Sequence, residues 1–227
     1  MKLTLKNIGK VYEADINLPG VTVVAGPNGT GKSTISRALM VLKTLNRNLP
    51  MLVGYERVLS IMAAFRSAVS EMKLQLIHMK TPGYDDLGAW GEALQVDLWR
   101  NEGAFSEWVS RCFMPYMGTE RPEGGLGILI LDGSDPKEKI GRLFKILSPR
   151  AQEILRKDIA EYERHVCTKA LNTAFASQWV PSGASTCEGW LGIEDEGVVC
   201  RLDYRNGEVC GNAMPGSRDA ESWIYLE

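Results

Sequence analysis

Gly26-Pro27-Asn28-Gly29-Thr30-Gly31-Lys32-Ser33-Thr34 fits G-x-x-x-x-G-K-[ST] at every fixed position. It follows Val21-Thr22-Val23-Val24-Ala25, a β-branched run suited to a buried strand, and leads into Ser33–Leu45, which reads as a helix. Strand, glycine-rich loop and helix in that order are the context that separates a phosphate-binding loop from a bare turn. Phosphates carry several negative charges and need many short donors close by. Glycines let backbone N–H groups curve around the β-phosphate, and the following helix aims its positive end at the same anion. In this reading Lys32 reaches the β- and γ-phosphates, Ser33 puts its hydroxyl on Mg²⁺, and Thr34 lies near the α-phosphate.

Two strand patterns precede the loop. Leu3, Leu5 and Ile8 give a rough period of two, and Ala14, Ile16 and Leu18 a cleaner one before the Pro19-Gly20 turn. From about Met51 to Trp179 the pattern is mostly helical. Val58, Met62, Phe65, Val69, Met72 and Leu76 recur at three- and four-residue steps until Pro82-Gly83. Shorter helical patterns lie near Leu87–Arg100 and Ala104–Met117, and Gly118–Gly127 reads as a loop. Ser148 and Pro149 suit the cap and first turn of a last helix, whose face continues through Leu155, Ile159, Tyr162, Val166, Ala170 and Ala174. After Pro181-Ser182-Gly183 the texture returns to strand. Val198–Tyr204 and Glu208–Met214 flank Asn206-Gly207, a strong hairpin signal, and Trp223–Leu226 is another strand-like run. The expected fold is α/β: a P-loop core with a small antiparallel sheet from residues 1–50 and 180–227, and a long helical insertion over 51–179.

The balance of 26 Lys+Arg against 28 Asp+Glu gives no electrostatic case for a nucleic-acid binder, so that partner class stays unsupported. An apolar fraction of 44% with 24% charged residues excludes a disordered chain. No apolar run is long enough for a membrane span, and Met1–Lys6 alternates polar with apolar residues instead of forming a leader. Cys112, Cys167, Cys187, Cys200 and Cys210 are odd in number and lack any C-x-x-C, which fits reduced thiols and a cytoplasmic setting.

The run Leu3–Leu18, followed by Gly20-Val-Thr-Val-Val-Ala-Gly-Pro-Asn-Gly-Thr-Gly-Lys-Ser-Thr, resembles the N-terminal lobe of ABC/SMC-type ATPase heads. It looks closest to bacterial AAA-family ATP-binding proteins built on that head. The specific likeness covers residues 1 to about 45. A weaker one covers Ala174-Phe175-Ala176-Ser177-Gln178 and the hairpin after it. The resemblance implies ATP and Mg²⁺ as ligands, held by Gly26, Pro27, Asn28, Gly29, Thr30, Gly31, Lys32, Ser33 and Thr34. Lys32 is then the catalytic cation and Ser33 the metal ligand. It also implies a head–head dimer, a Walker B run ending in Asp-Glu, and a Ser-Gly-rich signature. No such signature is present. Ile128-Leu129-Ile130-Leu131-Asp132 offers a Walker B candidate, with Asp132 holding Mg²⁺ through water. It ends in Gly133, not Glu, and precedes the hairpin it should follow. A buried strand or helix start turning at Asp132-Gly133-Ser134 is therefore the favoured reading. The expectation is a chain that forms the N-terminal half of an ATPase head, slow in hydrolysis alone, with the missing half beyond Glu227.

Other residues weigh less. His78 and His165 lack a readable triad and read as surface or packing residues. Asp85-Asp86 and Glu194-Asp195-Glu196 read as solvated turns. Trp90, Trp99 and Trp108 read as core. Tyr12 could stack on adenine, and Asn7–Lys10 could line the base or ribose, on resemblance alone. Two other functions compete. A P-loop kinase would need a basic lid, for which Arg111 and Arg121 are the candidates. A non-hydrolysing regulatory module would bind nucleotide and signal through the helices.

Overall fold

The computed structural model describes residues 1–72, 74–77, 90–112, 114–117, 127–130, 135–181 and 187–215. The chain divides into two units, Met1–Val53 with Asp158–Glu227, and Gly54–Lys157. His78, Asp85, Asp86, Arg121, Asp132, Gly133, Ser134 and Trp223–Leu226 lie outside the described residues.

The first unit is built on a five-stranded antiparallel sheet. Its strands are β1 (Lys2–Ile8), β2 (Val11–Asn17), β6 (Glu188–Asp195), β7 (Val198–Arg205) and β8 (Glu208–Ala213), in the order β2-β1-β6-β7-β8. Leu3 and Leu5 of β1 face the core with Leu191 and Ile193 of β6 and Leu202 and Tyr204 of β7. The rough period of β1 has a cause: Asn7 takes φ 57, which turns Ile8 back into the same core. Asn206 (φ 52) and Gly207 (φ 86) make the expected two-residue hairpin turn, and Glu196 (φ 49) with Gly197 (φ 82) make the one before it.

One helix, α1 (Lys32–Glu71), runs through both units in sequence. The expected helix over 33–45 and the helical region after 51 are thus continuous across Pro50. A proline inside a helix forfeits one backbone hydrogen bond and costs about 3 kcal/mol. Buried neighbours offset that cost: Leu42, Leu45, Leu49 and Val53 in the first unit's core, and Val58, Ile61, Met62 and Phe65 in the second's.

The second unit contains α2 (Glu102–Cys112), α3 (Pro136–Arg156) and a three-stranded sheet of β3 (Gln75–Ile77), β4 (Met114–Met117) and β5 (Gly127–Ile130), in the order β3-β5-β4. The apolar run at 128–130 is therefore strand. Phe65, Trp90, Trp99 and Trp108 form an edge-to-face cluster, ring centroids 5.6–6.3 Å apart, and Phe105 joins it in tilted contacts with Trp99 and Trp108. They are core, as expected.

The predicted helix start at Ser148-Pro149 is wrong. Both residues lie inside α3, whose N-cap is Asp135, accepting from Lys137 N at 3.0 Å. The Ser148 hydroxyl instead donates to the buried carbonyl of Trp99, which also takes Gln152 Nε2 at 2.8 Å. The break comes at Lys157-Asp158, both extended in ψ. Asp158 then caps α4 (Ile159–Ala174), accepting from Ala160 N at 3.1 Å.

Helix α4 packs on β8 and buries Glu163, 7% exposed, whose carboxylate accepts from Asn212 Nδ2 at 3.2 Å. Burial raises the Glu163 pKa, and Asp158 adds to the rise. Asn212 and Arg164 oppose it. Burial, then Glu163, pushes the Cys167 thiol up to about 12, which leaves it an inert apolar residue. The end of α4 is a Schellman motif: Ser177 N donates to Asn172 O at 2.8 Å and Ala176 N to Thr173 O at 3.5 Å. Its left-handed positions hold Ala176 (φ 48) and Ser177 (φ 60), where glycine is usual.

Two stability predictions follow from α4. Ala176→Gly relieves the left-handed Cβ clash at the cost of extra unfolded-state freedom, for a net gain of about 0.5–1 kcal/mol. A higher urea midpoint at unchanged slope checks it. For Glu163 the folded form binds a proton more tightly than the unfolded chain. Stability therefore falls as pH rises from the ordinary glutamate range through the raised folded value. Glu163→Gln removes the buried charge, so the melting temperature rises at neutral pH and the gain vanishes in acid. A variant that melts lower at pH 7 contradicts this.

Candidate nucleotide-binding site

The glycine-rich loop closes onto the start of α1. Gly26, Gly29 and Gly31 take φ of 156, 83 and 94, values L side chains rarely adopt. Thr34 N and Ile35 N both return to Gly31 O, at 2.9 and 3.3 Å, and so start the helix. Thr30 Oγ1 donates to Pro27 O at 2.9 Å. Lys32 Nζ folds back over the loop and donates to Gly26 O at 2.6 Å and Pro27 O at 2.5 Å. Ser33 is exposed at the first turn of α1. All nine residues from Gly26 to Thr34 thus lie on one continuous bend that ends in a helix N-terminus.

The expected buried strand at Val21–Ala25 is not formed. This run is irregular, and Val21 and Val23 are 101% and 85% exposed. β-Branched residues register strand propensity, whereas burial needs neighbouring strands, and among the described residues no strand pairs with this one.

The turn between β1 and β2 braces the loop instead. Ile8 pairs with Val11, leaving Gly9 (φ 55) and Lys10 as the turn residues. A Cβ on Gly9 would stand 3.1 Å from Thr34 Oγ1, and one on Gly31 would stand 3.0 Å from Val11 Cγ2. Glycine at both positions lets the turn and the loop touch. Lys10 Nζ lies 3.6 Å from where a Gly29 Cβ would be. Among the described residues neither Lys10 nor Lys32 has a carboxylate partner. Two ammonium groups without a carboxylate among the described residues, beside a glycine-rich bend at a helix start, are the chemistry that a polyanion would need.

The sequence reading reached residues 7–10 only by resemblance, as lining for a base or ribose. The hairpin register, legible in Gly9-Lys10 between Ile8 and Val11, is the signal that carries Lys10 to the loop. Tyr12 remains on β2 and is 76% exposed. His165 is exposed on α4, and Arg111 is ion-paired to Glu92 in the second unit. Among the described residues no three His, Cys, Asp or Glu side chains cluster as metal ligands, and no helix is long and apolar enough to cross a membrane.

A family model described as an AAA domain matches residues 2–45, which span β1, β2, the loop and the start of α1. No curated protein and no solved structure matches the chain. The residues present fit a magnesium nucleotide: backbone donors on a glycine bend, two cations and an exposed Ser33 hydroxyl. The N-terminal region of this mixed α/β protein is therefore similar to AAA-type P-loop ATPases, a class that binds nucleotides.

Proposed function

We propose that this chain binds Mg·ATP as part of an ABC/SMC-like ATPase head. The observation that carries this reading is the glycine bend over 26–34 with two lysines beside it that have no carboxylate partner among the described residues. Backbone N–H groups of the loop would hold the β-phosphate, Lys32 the β- and γ-phosphates, and Ser33 the Mg²⁺. Lys10 adds a second cation from the hairpin turn. Mg²⁺, when bound, neutralises phosphate charge. The protein's own part is to position the phosphates and exclude other geometries.

Hydrolysis, in this reading, needs groups beyond the loop itself. Phosphoryl transfer also needs an acidic metal partner, a positioned water and, in ABC/SMC-like heads, a signature from a partner head. The exposed Val21–Ala25 run supports this, since no described strand pairs with this apolar β-branched segment ahead of the loop. In this reading the unit Gly54–Lys157 is the insertion of the head, and α4 belongs with the lobe that carries the loop.

Mg·ATP at about a hundredfold excess over Kd should stabilise the protein by roughly 2.7 kcal/mol, read as a rise in melting temperature. Lys32→Ala should abolish that rise while melting near wild type without nucleotide. Lys10→Gln should weaken binding about three- to tenfold, less than Lys32→Ala, because it removes one exposed charge contact and leaves the cradle. Isothermal titration of the two variants checks the order. A wild-type protein indifferent to millimolar Mg·ATP refutes the reading.

A further inference from the structure

The turn that braces the loop is itself held by residues far along the chain, Trp179, Glu188 and Tyr204. Tyr204 of β7 is 1% exposed, and its hydroxyl donates to the carbonyl of Asn7. A Cβ at Gly189 would collide with the Lys6 carbonyl and, at 2.6 Å, with that hydroxyl, so the glycine leaves room for both. Asn7 Nδ2 donates to Glu188 O at 2.7 Å, and Gly9 N donates to Trp179 O at 2.6 Å. The Trp179 ring stands edge-on to Tyr204, centroids 4.8 Å apart, and its indole N–H donates to Asn172 Oδ1 at 2.7 Å. On its other side the same turn meets Thr34, Gly31 and Gly29 of the loop.

A purely structural tyrosine would need a partner for its hydroxyl, but any backbone carbonyl of the sheet would serve. The acceptor here is Asn7, a residue in left-handed conformation two positions before the glycine that touches Thr34. We propose that Tyr204, acting with Trp179 through the Asn7–Gly9 turn, is a positioning residue for the phosphate loop. The inference rests on the nucleotide reading above and names a residue of that site outside the loop. It works by geometry: phosphate donors misplaced by a fraction of an ångström lose alignment with every oxygen they serve at once. Occupancy of the loop is in turn felt at Trp179, which shares Gly9 with it.

Tyr204→Phe keeps the ring against Trp179 and removes the donor to Asn7, together with a 3.9 Å contact to Cys187 Sγ. The expected result is a Kd for Mg·ATP raised about fivefold, measured well below the variant's melting temperature. Asn7→Gly keeps the left-handed backbone and the carbonyl but loses the bond to Glu188. It should weaken binding in the same direction, and it decides the matter if Tyr204→Phe fails to fold. A role confined to stability lowers the melting temperature and leaves Kd alone. The second readout is tryptophan emission. Mg·ATP should change a component of it that Trp179→Phe abolishes and Tyr204→Phe diminishes. Wild-type Kd in both Tyr204→Phe and Asn7→Gly, with the emission response intact, overturns the inference and leaves the nucleotide site standing. Failure of the wild type itself to bind Mg·ATP overturns the site reading, and this inference with it.

Discussion

The β1–β2 turn has to pass within van der Waals reach of the phosphate loop, and much of the first unit is arranged to allow it. Two glycines, Gly9 and Gly31, clear the contact from opposite sides. Asn7 leaves the strand conformation so that the turn drops toward the loop while Ile8 still enters the core. The hydroxyl of Tyr204 and the carbonyl of Trp179 then fix the turn from below. Each of these groups is buried or half-buried and each is hydrogen-bonded, so displacing the turn would strand several polar atoms at once. A site made of backbone donors is only as well defined as the contacts behind it.

What the sequence could show depended on whether the signal was local. The loop was legible because its geometry is written in its own glycines and in Lys32. The Asn206-Gly207 hairpin was legible for the same reason. The start of α4 was misread because Ser148-Pro149 has the look of a cap and first turn, while the actual cap, Asp158, follows an unbroken amphipathic pattern. Ser148 serves Trp99 instead, a partner 49 positions away that no local pattern reveals. The Schellman turn at Ala176-Ser177 was invisible because neither residue announces a left-handed backbone.

The run Val21–Ala25 is a different kind of miss. Its composition predicts a strand inside a sheet, and composition speaks only to what a residue favours once neighbours exist. The five described strands of the first unit pair among themselves in the order β2-β1-β6-β7-β8, and this segment is not among them. The AAA-domain match extends over it all the same, so the segment carries the family pattern without the pairing.

That difference bears on how the loop keeps its shape. From Gly29 to Thr34 the bend is held by α1 and by the β1–β2 turn. From Gly26 to Asn28 it is held by its own side chains: Thr30 on Pro27 O, and Lys32 on Gly26 O and Pro27 O. In the proposed nucleotide site Lys32 would have two duties that compete. An ammonium donating to two loop carbonyls satisfies them and closes the bend. To reach a phosphate it must turn away and leave both carbonyls to water. Both are solvent-exposed, so the exchange costs little. The incoming phosphate replaces neutral acceptors with charged ones, and charge-assisted bonds are the stronger. The same lysine can thus hold the loop ready and still favour the anion over its own backbone. The turn beneath keeps the other half of the bend in place while the exchange occurs.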